Sequence, residues 1–129
     1  MEQLGASKPV TLHNGTEIDI FEYMQCFGNV SQNALHWNGY EAMHKISTFH
    51  ALVPGFSQEQ WHVFGLDWRP DGYTFYVDGR RVSETTNAPS QVHERILLSV
   101  EIGKWAHNIA DAKLPQQVMF AWVRVWQKR

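Results

Sequence analysis

The chain has 129 residues, of which 43% are hydrophobic and 13% aromatic. This length suits one domain with one modest core, and the composition is typical of a folded globular protein rather than of a disordered segment. The formal net charge is -2, with acids and bases mixed along the chain. Because no basic stripe is available for a phosphate backbone, nucleic acid is not an expected partner.

The sequence also predicts no metal site, no internal disulfide and no membrane-spanning segment. Cys26 is the one cysteine, so it cannot form an internal disulfide, and the seven histidines show no ligand spacing. We therefore predict no metal and no cofactor. The N-terminus lacks a basic start followed by an apolar run, and no stretch approaches the roughly 20 apolar residues of a membrane span. We expect a soluble chain without an export signal, and its localisation stays open.

Apolar residues recur mostly at period two in short runs, which is the pattern of antiparallel strands. Turn residues separate the runs: Pro70-Asp71-Gly72 lies between two aromatic strands, and Asp78-Gly79 suits a tight hairpin. Many short strands with regular turns predict a sandwich or jelly roll. Ala106 to Gln117 is interpreted as a loop, and the last strand as well buried. The predicted strands run over Thr16–Gln25, Gln32–Asn38, Ala42–His50, Gln60–Trp68, Tyr73–Asp78, Arg81–Thr85, Ile96–Glu101 and Val118–Gln127.

The first of these strands contains three acids, Glu17, Asp19 and Glu22, among β-branched and aromatic residues. Acids are poor strand formers, so their presence needs a reason. Strand alternation puts Glu17 and Asp19 on one face and Glu22 on the other. A β-bulge near Ile20-Phe21 would return Glu22 to the shared face, and bulges are frequent beside active sites.

Such a set fits glycoside hydrolysis with retention of configuration. That reaction needs a nucleophilic carboxylate and a protonated partner about 5 to 5.5 Å away. In a straight strand the Cα atoms of Glu17 and Glu22 would be about 16 Å apart, so the bulge, curvature and long side chains must bring the carboxyls together. The alternative from the pattern alone is a solvent-facing acidic strand whose apolar residues serve the core.

The sequence resembles the glycoside hydrolases of family 16, whose bulged motif reads Glu-x-Asp-x-x-Glu and matches Glu17-Ile18-Asp19-Ile20-Phe21-Glu22. The resemblance extends from about residue 15 to residue 129. It continues through Ala34–Tyr40, Trp61–Gly72, Phe75–Gly79, Ile96–Glu101 and Trp122–Trp126.

The resemblance implies one all-β domain over residues 1–129, a concanavalin A-like β-jelly-roll sandwich. It also implies retaining hydrolysis of internal β-linkages in a polysaccharide: a β-1,3- or mixed-linkage glucan, or a galactan. By position, Glu17 matches the nucleophile, Glu22 the acid/base, and Asp19 the acid between them. The bulged motif looks more like that of laminarinases, lichenases and agarases than that of xyloglucan transglycosylases.

The chain also departs from the family pattern. Family 16 domains are longer, with the acidic motif nearer their middle, so we expect this domain to be an incomplete, C-terminal half. Its sheets would then be completed by self-association or by a partner chain. Ala121 stands where many relatives have an acid that helps to hold calcium, so this ion is not predicted. Members of the family are often secreted.

Three further residues are candidates for substrate binding. If the strands pair as in the relatives, Trp37 is expected to point into the same groove as the acids, with core packing as the alternative. His36, its neighbour, would alternate to the opposite face, and Trp105 lies in a turn-like region where its ring would line the rim or anchor a loop.

Two other functions stay open at this point: a non-catalytic, lectin-like carbohydrate-binding module, and an inactive truncated remnant. The polysaccharide and the balance between hydrolysis and transglycosylation are also open.

Overall fold

A computed structural model describes residues 2–3, 15–24, 27–28, 30–103 and 107–128; Cys26 lies outside these ranges. The chain divides into two compact units, Met1–Leu97 and Leu98–Arg129. Each unit is described by itself.

The first unit contains every strand found in the described residues. A short antiparallel pair joins β1 to β8, and two three-stranded antiparallel sheets have the orders β2-β3-β4 and β5-β6-β7. The strands are β1 (Glu2–Gln3), β2 (Glu17–Glu22), β3 (Val30–Trp37), β4 (Lys45–Leu52), β5 (Phe64–Arg69), β6 (Gly72–Val77), β7 (Arg80–Thr85) and β8 (Glu94–Arg95).

The first six strands predicted from the sequence all form, with ends that move by a few residues. The meander β5-β6-β7 has the predicted turns. Arg69 pairs with Gly72 around the first turn. In the second turn Asp78 and Gly79 have φ angles of 51° and 76°, the left-handed values that let a two-residue turn follow the twist of its strands.

Buried apolar side chains lie between the two three-stranded sheets. Ile18 and Leu35 from one sheet and Phe75 from the other are each 0% exposed and belong to one cluster. Burying a large apolar side chain contributes about 1.5–3 kcal/mol relative to leaving it exposed. A second cluster of Val53, Phe56 and Val77 continues this core. The predicted all-β sandwich is confirmed.

The second unit has little regular structure in its described part. A 3₁₀ helix spans Ile109–Asp111, and the Asn108 side chain caps it by accepting a hydrogen bond from the Ala110 amide. The guanidinium of Arg124 lies 4.7 Å from the centre of the Trp122 ring, a cation–π distance. The described residues of the loop predicted over Ala106 to Gln117 contain this short helix and no strand, in agreement with the prediction.

The two last predicted strands, Ile96–Glu101 and Val118–Gln127, are wrong. Neither segment is a strand, and the exposed fraction is 58% for Val118 and 77% for Trp126, so the last segment is not well buried. Apolar alternation gives a segment the propensity for a strand. A strand forms only when its backbone groups pair with a neighbour, and neither segment has such a pairing within the described residues.

In the part of the chain that the structure describes, no helix is both long and apolar enough to cross a membrane.

Candidate active site

The three acids of β2 lie on one face of the sheet because the strand contains a bulge. Glu17 pairs with His36 and Asp19 with Ala34, but Glu22 pairs with Gln32. Three residues of β2 therefore span the same stretch as two residues of β3, which is the signature of one inserted residue. Alternate positions of β3 share a face, so their three partners on β2 do too. The bulge predicted at Ile20-Phe21 is confirmed.

Each acid contacts a different polar neighbour. The Tyr40 hydroxyl donates a hydrogen bond to Oε2 of Glu17. Nε2 of His36 is 3.5 Å from Oδ2 of Asp19. Gln32 donates from Nε2 to Oε2 of Glu22 at 2.7 Å. These contacts limit the rotation of the carboxylates, as a preorganised site requires.

The contact to Glu22 extends one strand further. Oε1 of Gln32 is 2.6 Å from Nε2 of His50 on β4. Because both the NH₂ group and the oxygen of the Gln32 amide have hydrogen-bond partners, the amide cannot flip without losing one of these bonds. Its NH₂ group therefore stays directed at Glu22.

His36 also contacts a second histidine. Its Nδ1 lies 2.9 Å from Nε2 of His44, and the Tyr40 ring lies 5.0 Å from the His44 ring. Burial and the neighbouring His44 lower the pKa of His36 from its ordinary value of 6.5, and the negative charge of Glu22 opposes them. His36 is therefore neutral near pH 7, and its contact with Asp19 is dipolar rather than an ion pair.

The start of β2 is held by a buried hydrogen-bond network. Thr16 is fully buried, its hydroxyl donates to the Ala88 carbonyl at 2.7 Å, and its amide donates to Oε1 of Glu94 at 3.2 Å. The Tyr73 hydroxyl donates to the same carbonyl at 3.1 Å and accepts from the Ser90 amide at 2.6 Å. The backbone immediately before Glu17 is thus fixed to the loop that precedes β8.

The structure reverses the expected orientations of Trp37 and His36. Trp37 is 9% exposed and belongs to the core cluster with Ile18 and Leu35, so the expectation that its ring faces the acids is wrong. His36 lies directly opposite Glu17 and on its face. The reason is register: neighbours alternate between faces, and the pairing with β2 puts the even-numbered residues of β3 beside the acids. Trp105 lies outside the described residues.

Four residues near the acids were missed by sequence reasoning: Gln32, Tyr40, His44 and His50. Gln32 and His50 face Glu22 only because of the register of β2-β3-β4, which no local pattern reveals. Tyr40 carried a usable signal. It follows Asn38-Gly39, a turn dipeptide readable in the sequence, whose φ angles of 66° and 71° turn the chain.

No group of three or more histidine, cysteine, aspartate or glutamate side chains in the described residues has an arrangement that could hold a metal ion.

The model for glycosyl hydrolases family 16 matches residues 5–124. The chain belongs to this family. The match contains all three acids of the bulged strand, so the family 16 assignment and the geometry of β2 concern the same residues.

Curated relatives of this family 16 chain carry the name beta-glucanase. One from Fibrobacter succinogenes is 26% identical over 117 residues, which is 86% of this chain and 33% of the relative. Two from Acetivibrio thermocellus are 29% and 31% identical over 77 residues, which is 56% of this chain and 23% of each relative. The chain thus spans between 23% and 33% of the length of these relatives. No solved structure matches it.

Proposed function

We propose that this chain carries the catalytic strand of a retaining, endo-acting β-glucanase, with Glu17 as nucleophile, Glu22 as general acid/base and Asp19 as the assisting acid. The observation that carries the proposal is the bulge, because it brings the three acids of a six-residue motif to a single face of the sheet. The names of the relatives favour a β-glucan as substrate. A galactan is the second candidate substrate.

In the first step, an oxygen of Glu17 attacks the anomeric carbon and forms a covalent bond to the sugar. The bond between that carbon and the glycosidic oxygen breaks, and Glu22 gives its proton to the departing oxygen. The hydrogen bond from Tyr40 orients the attacking carboxylate before the reaction.

In the second step, Glu22 acts as a base. It takes a proton from a water molecule as the water oxygen bonds to the anomeric carbon, and the bond from that carbon to Glu17 breaks. Two inversions give net retention, and both carboxyl groups return to their starting states. Asp19 lies between the two on the same face of the sheet.

The surroundings of the acids suit a sugar. Tyr40 is 65% exposed, so its ring offers an apolar face beside Glu17 on which a pyranose could stack. His36, Gln32 and His50 supply hydrogen-bonding groups on the same side of the sheet. A polysaccharide lying across β2-β3-β4 would meet these groups in succession.

The test uses three single substitutions in the full chain: Glu17→Gln, Glu22→Gln and, as a matched control on an exposed loop, Glu59→Gln. Hydrolysis of laminarin, mixed-linkage glucan and agarose is measured by release of reducing ends, and the first product's anomeric configuration by NMR. We expect the first product to retain the anomeric configuration. The hydrolysis rate should fall by about 10²- to 10⁴-fold in each site variant and stay unchanged in the control.

Unchanged hydrolysis by Glu17→Gln or Glu22→Gln would contradict the proposed roles. Inverted configuration in the first product would contradict the double displacement. If calorimetry detected glucan binding by a folded wild-type chain that released no product, a lectin-like binding module would replace the enzyme as the favoured function.

A further inference from the structure

The bulge in β2 has a buried polar contact on the side opposite the acids. Asn33 of β3 is 1% exposed, and its Nδ2 donates a hydrogen bond to the Ile20 carbonyl at 2.6 Å. Its Oδ1 accepts from the Ser83 hydroxyl at 3.2 Å, so the same side chain also contacts β7 of the facing sheet.

An asparagine at this position needs an explanation. Asn is depleted in strands, and burying an amide is costly unless it is hydrogen-bonded. Both polar ends of the Asn33 side chain have partners, and the partner of its NH₂ group is the backbone of a bulge residue. Pairing between β2 and β3 is interrupted at Ile20 and Phe21 and resumes at Glu22.

The alternative register shows what the contact prevents. Without the bulge, pairing would continue regularly from Asp19 opposite Ala34, and Glu22 would come to lie opposite Ser31. Ser31 is 0% exposed, so a regular strand would direct the Glu22 carboxyl into the interior and away from Asp19. The register of this one strand decides whether Glu22 joins the other acids.

Apolar packing holds the second bulge residue. The Phe21 ring stacks on Phe64 of β5 with 3.6 Å between ring centres, and it packs against the cluster that contains Val53 and Phe56. Ile20 packs against the other cluster. Both bulge residues therefore contact the core, which is the geometry expected when a strand contains one inserted residue.

We infer that Asn33 is a positioning residue: its hydrogen bond to the Ile20 carbonyl holds the bulge in the register that directs Glu22 toward the face of Glu17 and Asp19. The inference rests on the proposed function, because it makes turnover depend on a residue that lies behind the sheet and does not face the substrate. Ser83 supports it by fixing the orientation of the Asn33 amide.

The main test substitutes Asn33→Asp, which keeps the size of the side chain and makes its donor depend on pH. An ionised carboxylate cannot donate to the Ile20 carbonyl, whereas a protonated carboxyl group can. Burial raises the pKa of a carboxyl group at this position, so the carboxylate form is measured above that pKa. Since misplacement by about 1 Å can lower turnover by about 10²-fold, we expect kcat there to fall by roughly 10- to 100-fold with little change in KM. The ratio of variant to wild-type kcat should rise as the pH falls.

Two further variants distinguish positioning from general stabilisation. Asn33→Leu removes the donor at every pH, so its kcat should stay low without recovery in acid. Ser83→Ala leaves the bond to Ile20 in place and should cause a smaller loss. Hydrogen exchange at the amides of residues 20–22 is measured with kcat, and we expect faster exchange there in Asn33→Leu than in the wild type.

A lower melting temperature with wild-type kcat, in folded Asn33→Leu or in folded Asn33→Asp above the pKa of its carboxyl group, would overturn the inference, because Asn33 would then act on stability alone. Unchanged exchange at residues 20–22 in Asn33→Leu would overturn it too. If the wild-type chain hydrolysed no glucan, the proposed function would fail, but the exchange measurement would still decide whether Asn33 holds the bulge. If Asn33→Leu fails to fold, Asn33→Asp measured across the pH range provides the same decision.

Discussion

Replacing Gly72 with alanine should destabilise the first unit for a purely steric reason. Gly72 begins β6, and a Cβ atom built on it would lie 2.5 Å from the Thr85 carbonyl oxygen, 3.3 Å from the carbonyl carbon and 3.3 Å from Cα of Thr86. All three are backbone atoms, so no side-chain rotation can relieve the clash. Either β7 must move away or the turn before Gly72 must open.

The loss of stability in Gly72→Ala depends on the contacts that hold Thr85 in place. Thr85 pairs with Tyr73, and Tyr73 is 2% exposed with a hydroxyl bonded to the loop at Ala88 and Ser90. Moving β7 would therefore disturb a buried residue. Inserting a methylene into such a packed position costs about 1–3 kcal/mol, and each kcal/mol corresponds to a shift of roughly 4 °C in the melting temperature for a domain of this size.

The assay is urea and thermal unfolding of Gly72→Ala beside a matched control, Gly65→Ala. A Cβ atom on Gly65 would lie 3.5 Å from Cβ of Tyr76, an ordinary van der Waals distance. Since Ala also restricts the unfolded chain, the control should be neutral or slightly more stable than the wild type. Equal stability of the two variants would refute the steric reasoning.

Three other results are expected. Tyr73→Phe leaves a buried amide without its acceptor and should lower the free energy of unfolding by about 1–3 kcal/mol. Tyr40→Phe, at an exposed position, should instead lower kcat with little change in the free energy of unfolding. Denaturant titration and rate assays measure both quantities, and a stability loss in Tyr40→Phe without one in Tyr73→Phe would contradict these roles. Partial burial opposes protonation of His62, but hydrogen bonds to Asp78 and to a backbone carbonyl outweigh it and raise the pKa of His62 above 6.5. The stability contributed by this shift is fully present below pH 6.5 and is lost as the pH rises through the folded-state pKa. The difference in melting temperature between wild type and His62→Asn should therefore narrow as the pH rises through that value, and a constant difference would contradict the assignment. His44→Gln should raise the pKa of His36 toward 6.5 without fully restoring it, because burial remains; an NMR titration showing no upward shift would exclude an effect of His44.

The bulge was predictable from the sequence because its evidence is local. The spacing of Glu17, Asp19 and Glu22 can serve one face only if one residue is inserted between the second and third acids, and the hydrophobic Ile20 and Phe21 are suited to enter the core together. The turn at Asp78-Gly79 was predictable for a similar reason, because backbone conformation there depends on two adjacent residues.

The orientation of β3 was not predictable in this way. Either face of a strand containing both His36 and Trp37 could in principle face the acids, and the resemblance to family 16 suggested a sugar-stacking role for the tryptophan. The register with β2 decided the matter: it puts His36 opposite Glu17 and turns Trp37 into the core. The contacts of Gln32 and His50 depend on the same register.

The sequence by itself therefore predicted the three acids that we propose as catalytic and the bulge in β2, because spacing and side-chain type act over a few residues. Only the tertiary structure decided which neighbours face the acids, that Asn33 contacts the bulge from behind, and that Ile96–Glu101 and Val118–Gln127 lack strand pairing in the described residues. The physical reason is that a strand's register and existence depend on backbone hydrogen bonds to a partner remote in sequence.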